Sequence, residues 1–522
     1  MRKIEVLDCT LRDGGYVNQW KFGHKNITNI TNKLIAANID IVECGFLTQK
    51  FTYDSDTTLY NQISQVYIVE NAKCKFVCLM NYGEYDIECL PLATVPNTFG
   101  IRVAFHKKEW QQALELSRKI KEKGYNVYLQ PMVSMSYTKE EFIELINKAN
   151  ELRPEAFYIV DSFGYMKKND LLDYFDIVEH YLDSNIKIGF HSHNNLQLSY
   201  SNAQLLCNID TKHNLIIDSS VLGMGRGAGN LNSELFVEYL NEFYKEKRYS
   251  IEPLFVIIDE VLNNIYLSNY WGYSLAYYLS AIYKCHPNYA TYLEDKNTLT
   301  VEGMNTILSE LKEEEKDIFN KKAISDLYES YQKRITRQAE DWEESKKIFE
   351  NRDVLLIAPG ASIKKNIDRI RFVSEKENVI TVAINFLPED LNVQYIFVSN
   401  MKRYQNLGEV DKKRVIMTTN IESVAECISI NYARIINQFE NVADNAGLMM
   451  IKLCFLLGVK NIYLAGFDGY SENAEENYVD KDLELTTKIE VLENMNTSMK
   501  AALREFGKKI QLHFITKSKY EQ

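Results

Sequence analysis

The most chemically suggestive residues are His191 and His193, two apart in the run Phe190-His191-Ser192-His193-Asn194-Asn195. On an extended strand, residues two apart point to one face, so both imidazoles can offer a nitrogen to a single cation. Asp13, in Leu11-Arg12-Asp13-Gly14, can add a hard oxygen. A mixed nitrogen and oxygen set with open positions suits Mn²⁺ or Mg²⁺, with Co²⁺ or Zn²⁺ as further choices. Arg12 carries a permanently charged fork that can stabilise an enolate or a carboxylate. Glu43, in Val42-Glu43-Cys44-Gly45, can orient it. A buried carboxylate is costly unless paired, which favours an Arg12–Glu43 ion pair; Asp8 is the other candidate partner of Arg12.

These residues meet only if distant segments converge. Over the first 225 residues, short β-rich runs alternate with amphipathic helical stretches such as Trp110–Lys123 and Lys139–Leu152. The runs are Ile4–Thr10, Ile39–Phe46, Lys75–Asn81, Thr98–Phe105, Asn126–Met132, Ala156–Phe163, Lys187–Asn194 and Leu215–Met224. Eight β–α repeats predict a (β/α)₈ barrel, with an open doubly wound sheet as the alternative. Barrel enzymes keep working residues at the carboxyl ends of strands. Those ends here add Gln130 and, within Asp161-Ser162-Phe163-Gly164, Ser162, both candidate substrate ligands.

The predicted organisation is an α/β barrel over 1–250, a helical extension and linker over 251–350, and a C-terminal Rossmann-like α/β domain over 351–522. Composition is ordinary for a globular protein, at 46% hydrophobic and 25% charged residues. A net charge of -12 argues against a nucleic-acid surface. No stretch reaches the roughly 18 apolar residues of a membrane span. The amino terminus shows no signal-peptide core, so a cytoplasmic location is expected. The nine cysteines form no paired framework and read as reduced, buried thiols.

Five ordered motifs carry a family resemblance. They are Leu11-Arg12-Asp13-Gly14, Val42-Glu43-Cys44-Gly45, Asp161-Ser162-Phe163-Gly164, His191-Ser192-His193-Asn194 and Gly223-Met224-Gly225-Arg226-Gly227-Ala228-Gly229-Asn230. Over about residues 1–290 the chain resembles the Asp-Arg-Glu TIM-barrel metallolyases, which include 4-hydroxy-2-oxovalerate aldolase and 3-hydroxy-3-methylglutaryl-CoA lyase. The resemblance implies that Asp13, His191 and His193 are metal ligands, with Asn230 near or on the metal. It also implies that Arg12 stabilises the enolate of a 2-oxo acid such as pyruvate, which is added to, or released from, an aldehyde or sugar. The loop at 226–230 is closer to the oxovalerate aldolase form than to that of the acetyl-CoA synthases, and Ser219–Asn232 lacks the cysteine of the CoA-ester lyase. Tyr16 stands where such aldolases have a histidine base. A tyrosine with a pKa near 10 is a weaker base unless the metal and Arg12 lower it. Tyr273, in Gly272-Tyr273-Ser274, resembles the segment that returns a tyrosine to the site, and His286 is another candidate base. The alternatives are an acyl-CoA condensing synthase and a binding or scaffold protein with a decayed barrel.

After residue 351, Ile357-Ala358-Pro359-Gly360-Ala361-Ser362 reads as a strand, a tight turn and a helix start, the pattern of a phosphate or nucleotide turn. With Asn385, Asn400 and Asp468 it is loosely similar to Rossmann-like domains of the bacterial sialyltransferase and motility-accessory type. That resemblance implies a nucleotide or nucleotide sugar at Gly360, Ser362, Asn385, Asn400 and Asp468, and a role in surface-glycan or modified-sugar biosynthesis. His513 is the sole histidine of this segment, which speaks against transferase activity. A homo-oligomer is expected.

Overall fold

The computed structural model describes residues 3–94, 99–334, 341–423, 425–471, 473, 476–480, 483 and 489–521. Thr98, the first residue of the fourth predicted strand, lies outside them. The chain divides into two compact units, one of residues 1–290 with 312–319, the other of residues 291–311 with 320–522. The helical stretch predicted over 251–350 is thus shared between the units.

The first unit is built on eight strands: β1 (Ile4–Asp8), β2 (Ile41–Leu47), β3 (Lys75–Asn81), β4 (Phe99–Phe105), β5 (Asn126–Pro131), β6 (Ala156–Asp161), β7 (Lys187–Ser192) and β8 (Leu215–Ser219). Each pairs in parallel with the next, and β1 pairs with both β2 and β8, so the sheet closes. This is the barrel the strand count predicts. Helices follow six of the strands: α1 (His24–Ala36), α2 (Trp110–Glu122), α3 (Lys139–Leu152), α4 (Lys168–Tyr181), α5 (Ser199–Asn208) and α6 (Ser233–Tyr244). Among the described residues, the connections after β2 and β3 carry no α-helix but short 3₁₀ turns, at Ile63–Gln65 and Ile87–Cys89, and after β2 a two-residue strand, Leu59–Tyr60. Helix α3 shows why these segments fold as they do. Thr138 and Glu141 close a capping box, and Phe142, Leu145, Ile146, Ala149 and Leu152 fall on one buried face.

Register sets what fills the barrel. Arg102 sits beside Tyr128 and Ala104 beside Gln130, while Tyr158 sits beside Gly189 and Val160 beside His191. Neighbours in parallel register share a face, so Arg102, Tyr128, Gln130, Tyr158 and His191 all point inward. At the amino end, Lys187 Nζ bridges Glu5 (2.5 Å) and Glu155 (2.8 Å). The middle layer is aromatic, and two glycines make its room. A Cβ on Gly100 would lie 2.6 Å from the Tyr128 ring, and one on Gly189 would lie 2.3 Å from the Tyr158 ring. The carboxyl end holds the charges described below.

The second unit holds seven parallel strands: β9 (Asp353–Ile357), β10 (Val379–Ile384), β11 (Tyr395–Val398), β12 (Val415–Thr418), β13 (Ile428–Ile430), β14 (Asn461–Ala465) and β15 (Gln511–Phe514). Their order is β13-β12-β11-β10-β9-β14-β15. Alternate residues of β9 feed two cores: Val354 and Leu356 one, Leu355 and Ile357 the other. Both faces are therefore covered, which is why these strands read as unbroken apolar runs. The order reverses between β9 and β14, and in open parallel sheets a crevice forms at the carboxyl ends there.

Filling the space beside Tyr158 tests the aromatic layer. Gly189→Val is expected to cost about 1–3 kcal/mol through overpacking, measured as a fall in the urea midpoint with an unchanged slope; an unchanged midpoint refutes the interior packing.

Candidate active site

Charged side chains at the carboxyl end of the barrel form one buried chain of contacts. Arg12 donates from Nε to Glu43 (2.8 Å) and from Nη1 to Asp13 (2.6 Å). Glu43 also pairs with Arg102 Nη1 at 2.8 Å. Arg102 Nη2 reaches Asp218, which in turn meets His191 Nδ1 at 2.9 Å. Arg102 and Glu43 are fully buried, and the other members are nearly so. The expected Arg12–Glu43 pair is present. Asp8 instead serves the backbone, accepting from Thr10 N–H (2.9 Å) and from the Ser233 hydroxyl (2.6 Å).

Burial alone would protonate these carboxylates, but the cations prevail. Asp13 is held well below the usual range, chiefly by Arg12 and then by the imidazoles and Arg226, against the upward push of burial. Asp218 is likewise lowered despite burial, with Arg102 the main cause. An ionised Asp218 can only accept, so His191 donates from Nδ1 and keeps Nε2 as a lone-pair donor. Burial pushes His193 down to about 3, so it is neutral, the form that binds metals.

The glycine-rich loop at 223–230 closes over Asp13. Asn230 Nδ2 donates to it at 2.7 Å, and the Arg226 backbone N–H lies 3.3 Å from Oδ2. The glycine-rich loop permits this approach. A Cβ on Gly225 would fall 2.2 Å from Asn230 Nδ2 and 2.6 Å from Asp13 Oδ2. Gly229 has φ +84°, and a Cβ there would strike the Gly223 carbonyl at 2.0 Å. Its own carbonyl accepts from Asn194 N–H at 2.8 Å, pinning the loop to the end of β7.

The residues present fit a divalent cation. Ligand atoms of Asp13, His191 and His193 all lie within 4.8 Å of one another. His193 Nδ1 and Asn230 Oδ1 are buried without a hydrogen-bond partner.

The other expected residues are placed unevenly. Gln130 is buried with Nε2 unpartnered. The Ser162 hydroxyl accepts from Val133 N–H (2.9 Å), and its carbonyl accepts from Arg226 Nη2 (3.0 Å), so Ser162 enters largely through its main chain. Tyr16 lies under Arg226, 5.5 Å from ring centre to guanidinium. Although 40% of its surface is accessible, burial of the phenol raises its pKa above 10, outweighing Arg226 and Arg12. The lowering that would make Tyr16 a base is therefore not supplied by the protein groups, which leave it a hydrogen-bond donor. Tyr273 is 54% exposed and its ring meets Tyr278, so the described contacts do not bring it into the cluster. His286 packs against Phe163 and is pushed down to about 3 by burial and by Arg226.

Arg102, Asp218 and Arg226 were missed. The signal for the first two was present: each is a charge inside an apolar strand, Phe99–Phe105 and Leu215–Ser219.

The second unit has a cavity of about 500 Å³ at the sheet's reversal point, lined by Gly360, Asn385, Asn400 and Asp468 among others. Asn385 Oδ1 is buried without a partner. Asn400 caps the helix that follows β11, accepting from Arg403 N–H at 2.9 Å. The turn at Gly360 and Ser362 departs from expectation. Ser362 donates its N–H (2.7 Å) and its hydroxyl (2.5 Å) to Asp468, so the protein's own carboxylate fills the place of a phosphate. Burial raises the pKa of Asp468.

With this geometry established, comparison with known proteins is informative. The HMGL-like family model matches residues 93–254, inside the barrel. A 4-hydroxy-2-oxovalerate aldolase from Carboxydothermus hydrogenoformans is 27% identical over 270 residues, covering 50% of this chain and 77% of that protein. One from Shewanella halifaxensis is 26% identical over 268 residues, with the same coverage of both chains. Among solved structures, the HMG-CoA lyase from Brucella melitensis matches with a TM-score of 0.39 at 13% identity, covering 49% of this chain and 96% of that one. The family and sequence matches support the TIM-barrel metallolyase superfamily for the first unit. All nine cysteines are free thiols, but against the expectation of buried thiols Cys74 is half-buried and Cys89 exposed; among the described residues no helix is long and apolar enough to cross a membrane.

Arg102→Leu would leave Glu43 and Asp218 buried against an apolar side chain. The expected loss is about 3–5 kcal/mol of stability, read by urea unfolding; a loss below 1 kcal/mol would show that the chain of ion pairs does not hold the barrel's carboxyl end.

Proposed function

We propose that the barrel is a divalent-metal-dependent aldolase or lyase that makes or breaks a carbon–carbon bond through the enolate of a 2-oxo acid such as pyruvate. The observation that carries this reading is the buried Asp13–His191–His193 set with the Arg12 guanidinium fixed against it. Asp13, His191 and His193 would hold the cation, Mn²⁺ or Mg²⁺, with Asn230 Oδ1 a fourth donor. A bound cation supplies Lewis-acid polarisation of the keto oxygen.

The protein's own groups do the remaining work. Arg12 is pinned through Nε and Nη1, and its remaining N–H groups can stabilise negative charge on the substrate oxygen. Glu43 and Arg102 keep that guanidinium in place. Asp218 fixes the tautomer of His191. Tyr16, protonated, donates a hydrogen bond at the mouth, and Gln130 offers an unpartnered amide N–H.

The second unit, in this reading, is a Rossmann-like domain whose cavity takes a nucleotide or sugar nucleotide. Its sugar hydroxyls would be read by Asn385, Asn400 and Asp468. The pairing with an aldolase then suits modified-sugar or surface-glycan synthesis.

Two measurements test this. Mn²⁺ titrated calorimetrically is expected to bind the native protein and not His191→Ala, and the loaded protein is expected to exchange the pyruvate methyl protons with deuterium. Arg12→Ala should slow that exchange about 10²- to 10³-fold; equal exchange in both proteins, or none in either, removes the reading. For the second unit, a UDP-sugar is expected to bind about tenfold more weakly to Asn385→Ala, and identical binding or no binding removes that assignment.

A further inference from the structure

Arg226 has no carboxylate paired directly with its guanidinium, although its charge is felt at Asp13. Its backbone N–H abuts Asp13, while its guanidinium reaches the Ser162 carbonyl (3.0 Å) and the ring of Tyr16 at the accessible rim. A carbonyl and an aromatic face are neutral acceptors. Among the described residues no carboxylate lies within 4.0 Å of its guanidinium, and Nε is buried with no partner. Arg226 is half-buried, and a buried guanidinium N–H without an acceptor is costly.

Gln130, near the carboxyl end of β5, adds a donor at the same end of the barrel. Gln130 is 3% exposed, faces the barrel interior, and has Nε2 unpartnered. His286 and His106 lie close enough to feel the charge of Arg226, and burial keeps both neutral, so neither offsets it nor adds to it. The first ring of charge, at Arg12 and the Asp13–His191–His193 set, already provides for the carboxylate and keto oxygen of the 2-oxo acid. Arg226 lies further out, between that set and the rim.

Resting on the aldolase reading, we propose that Arg226, with Gln130, determines acceptor specificity by binding an anionic group carried by the aldehyde, a carboxylate or a phosphate. In the synthetic direction the methyl carbon of the 2-oxo acid loses a proton and bonds to the aldehyde carbon, whose oxygen gains a proton. The acceptor's anion stays unchanged on Arg226 throughout.

The test uses the full chain loaded with Mn²⁺ and saturated with pyruvate, comparing kcat/KM for two matched pairs: succinic semialdehyde against butanal, and glyceraldehyde 3-phosphate against glyceraldehyde. The native protein is expected to prefer the anionic member of one pair by about 10- to 100-fold, the worth of a hydrogen bond to a charged group. Which pair shows the preference tells carboxylate from phosphate. Arg226→Leu should abolish the preference and Arg226→Lys should restore part of it. Methyl exchange with no preference in either pair overturns the inference and leaves the aldolase reading standing. So does an Arg226→Leu protein that slows both members of a pair equally. Absence of methyl exchange in the native protein removes both.

Discussion

The carboxyl end of the barrel is organised by the need to neutralise charges that cannot reach water. Arg102 has no accessible surface, yet it keeps its charge because Glu43 and Asp218 flank it. An isolated ion in that position would lose several kcal/mol to desolvation. Each carboxylate is shared in turn, Glu43 with Arg12 and Asp218 with His191. Four separate strands are tied across the barrel in this way, and the chain of contacts runs from Asp13, held by Arg12, to His191. Electrostatic pairing deep in the barrel thus helps to fix both the turn after β1 and the end of β7.

That constraint explains the glycines. Asp13 must accept from Arg12 and Asn230 while the loop at 223–230 crosses close above it. Gly225 and Gly229 mark the two points where a side chain would strike the Asp13–Asn230 pair or the loop's own backbone. The same economy of space governs the layer below, where Gly100 and Gly189 admit the Tyr128 and Tyr158 rings. Large side chains opposite glycines leave a dense floor beneath the buried charges.

The sequence made the barrel legible because strands buried on both faces leave runs of apolar residues, and eight of them repeat at even spacing. The metal-type set was legible because His191 and His193 share a strand face. Arg102 and Asp218 were visible as charges in apolar strands, but only closure of the barrel shows that they pair with each other; nothing local in Phe99–Phe105 points to Leu215–Ser219. Tyr16 was legible as a departure from the aldolase pattern, whereas the sense of its pKa shift depends on how burial and Arg226 balance. Tyr273 was drawn into the site by motif resemblance alone, and the structure gives its ring a neighbouring tyrosine instead.

The second unit shows the same difference between topology and chemistry. The reversal of strand order between β9 and β14 locates a crevice whatever the side chains are. A phosphate at the first turn needs free backbone N–H groups, and here Ser362 gives both its N–H and its hydroxyl to Asp468. A phosphate arriving there would have to displace a carboxylate already held by two hydrogen bonds, and the two anions would repel. The phosphates of any nucleotide in this cavity must therefore lie away from Gly360, towards the cations that line it, Lys296, Lys321 and Arg403. Asp468 is left to do what a carboxylate in a polar cavity does well, which is to accept hydrogen bonds from hydroxyl groups.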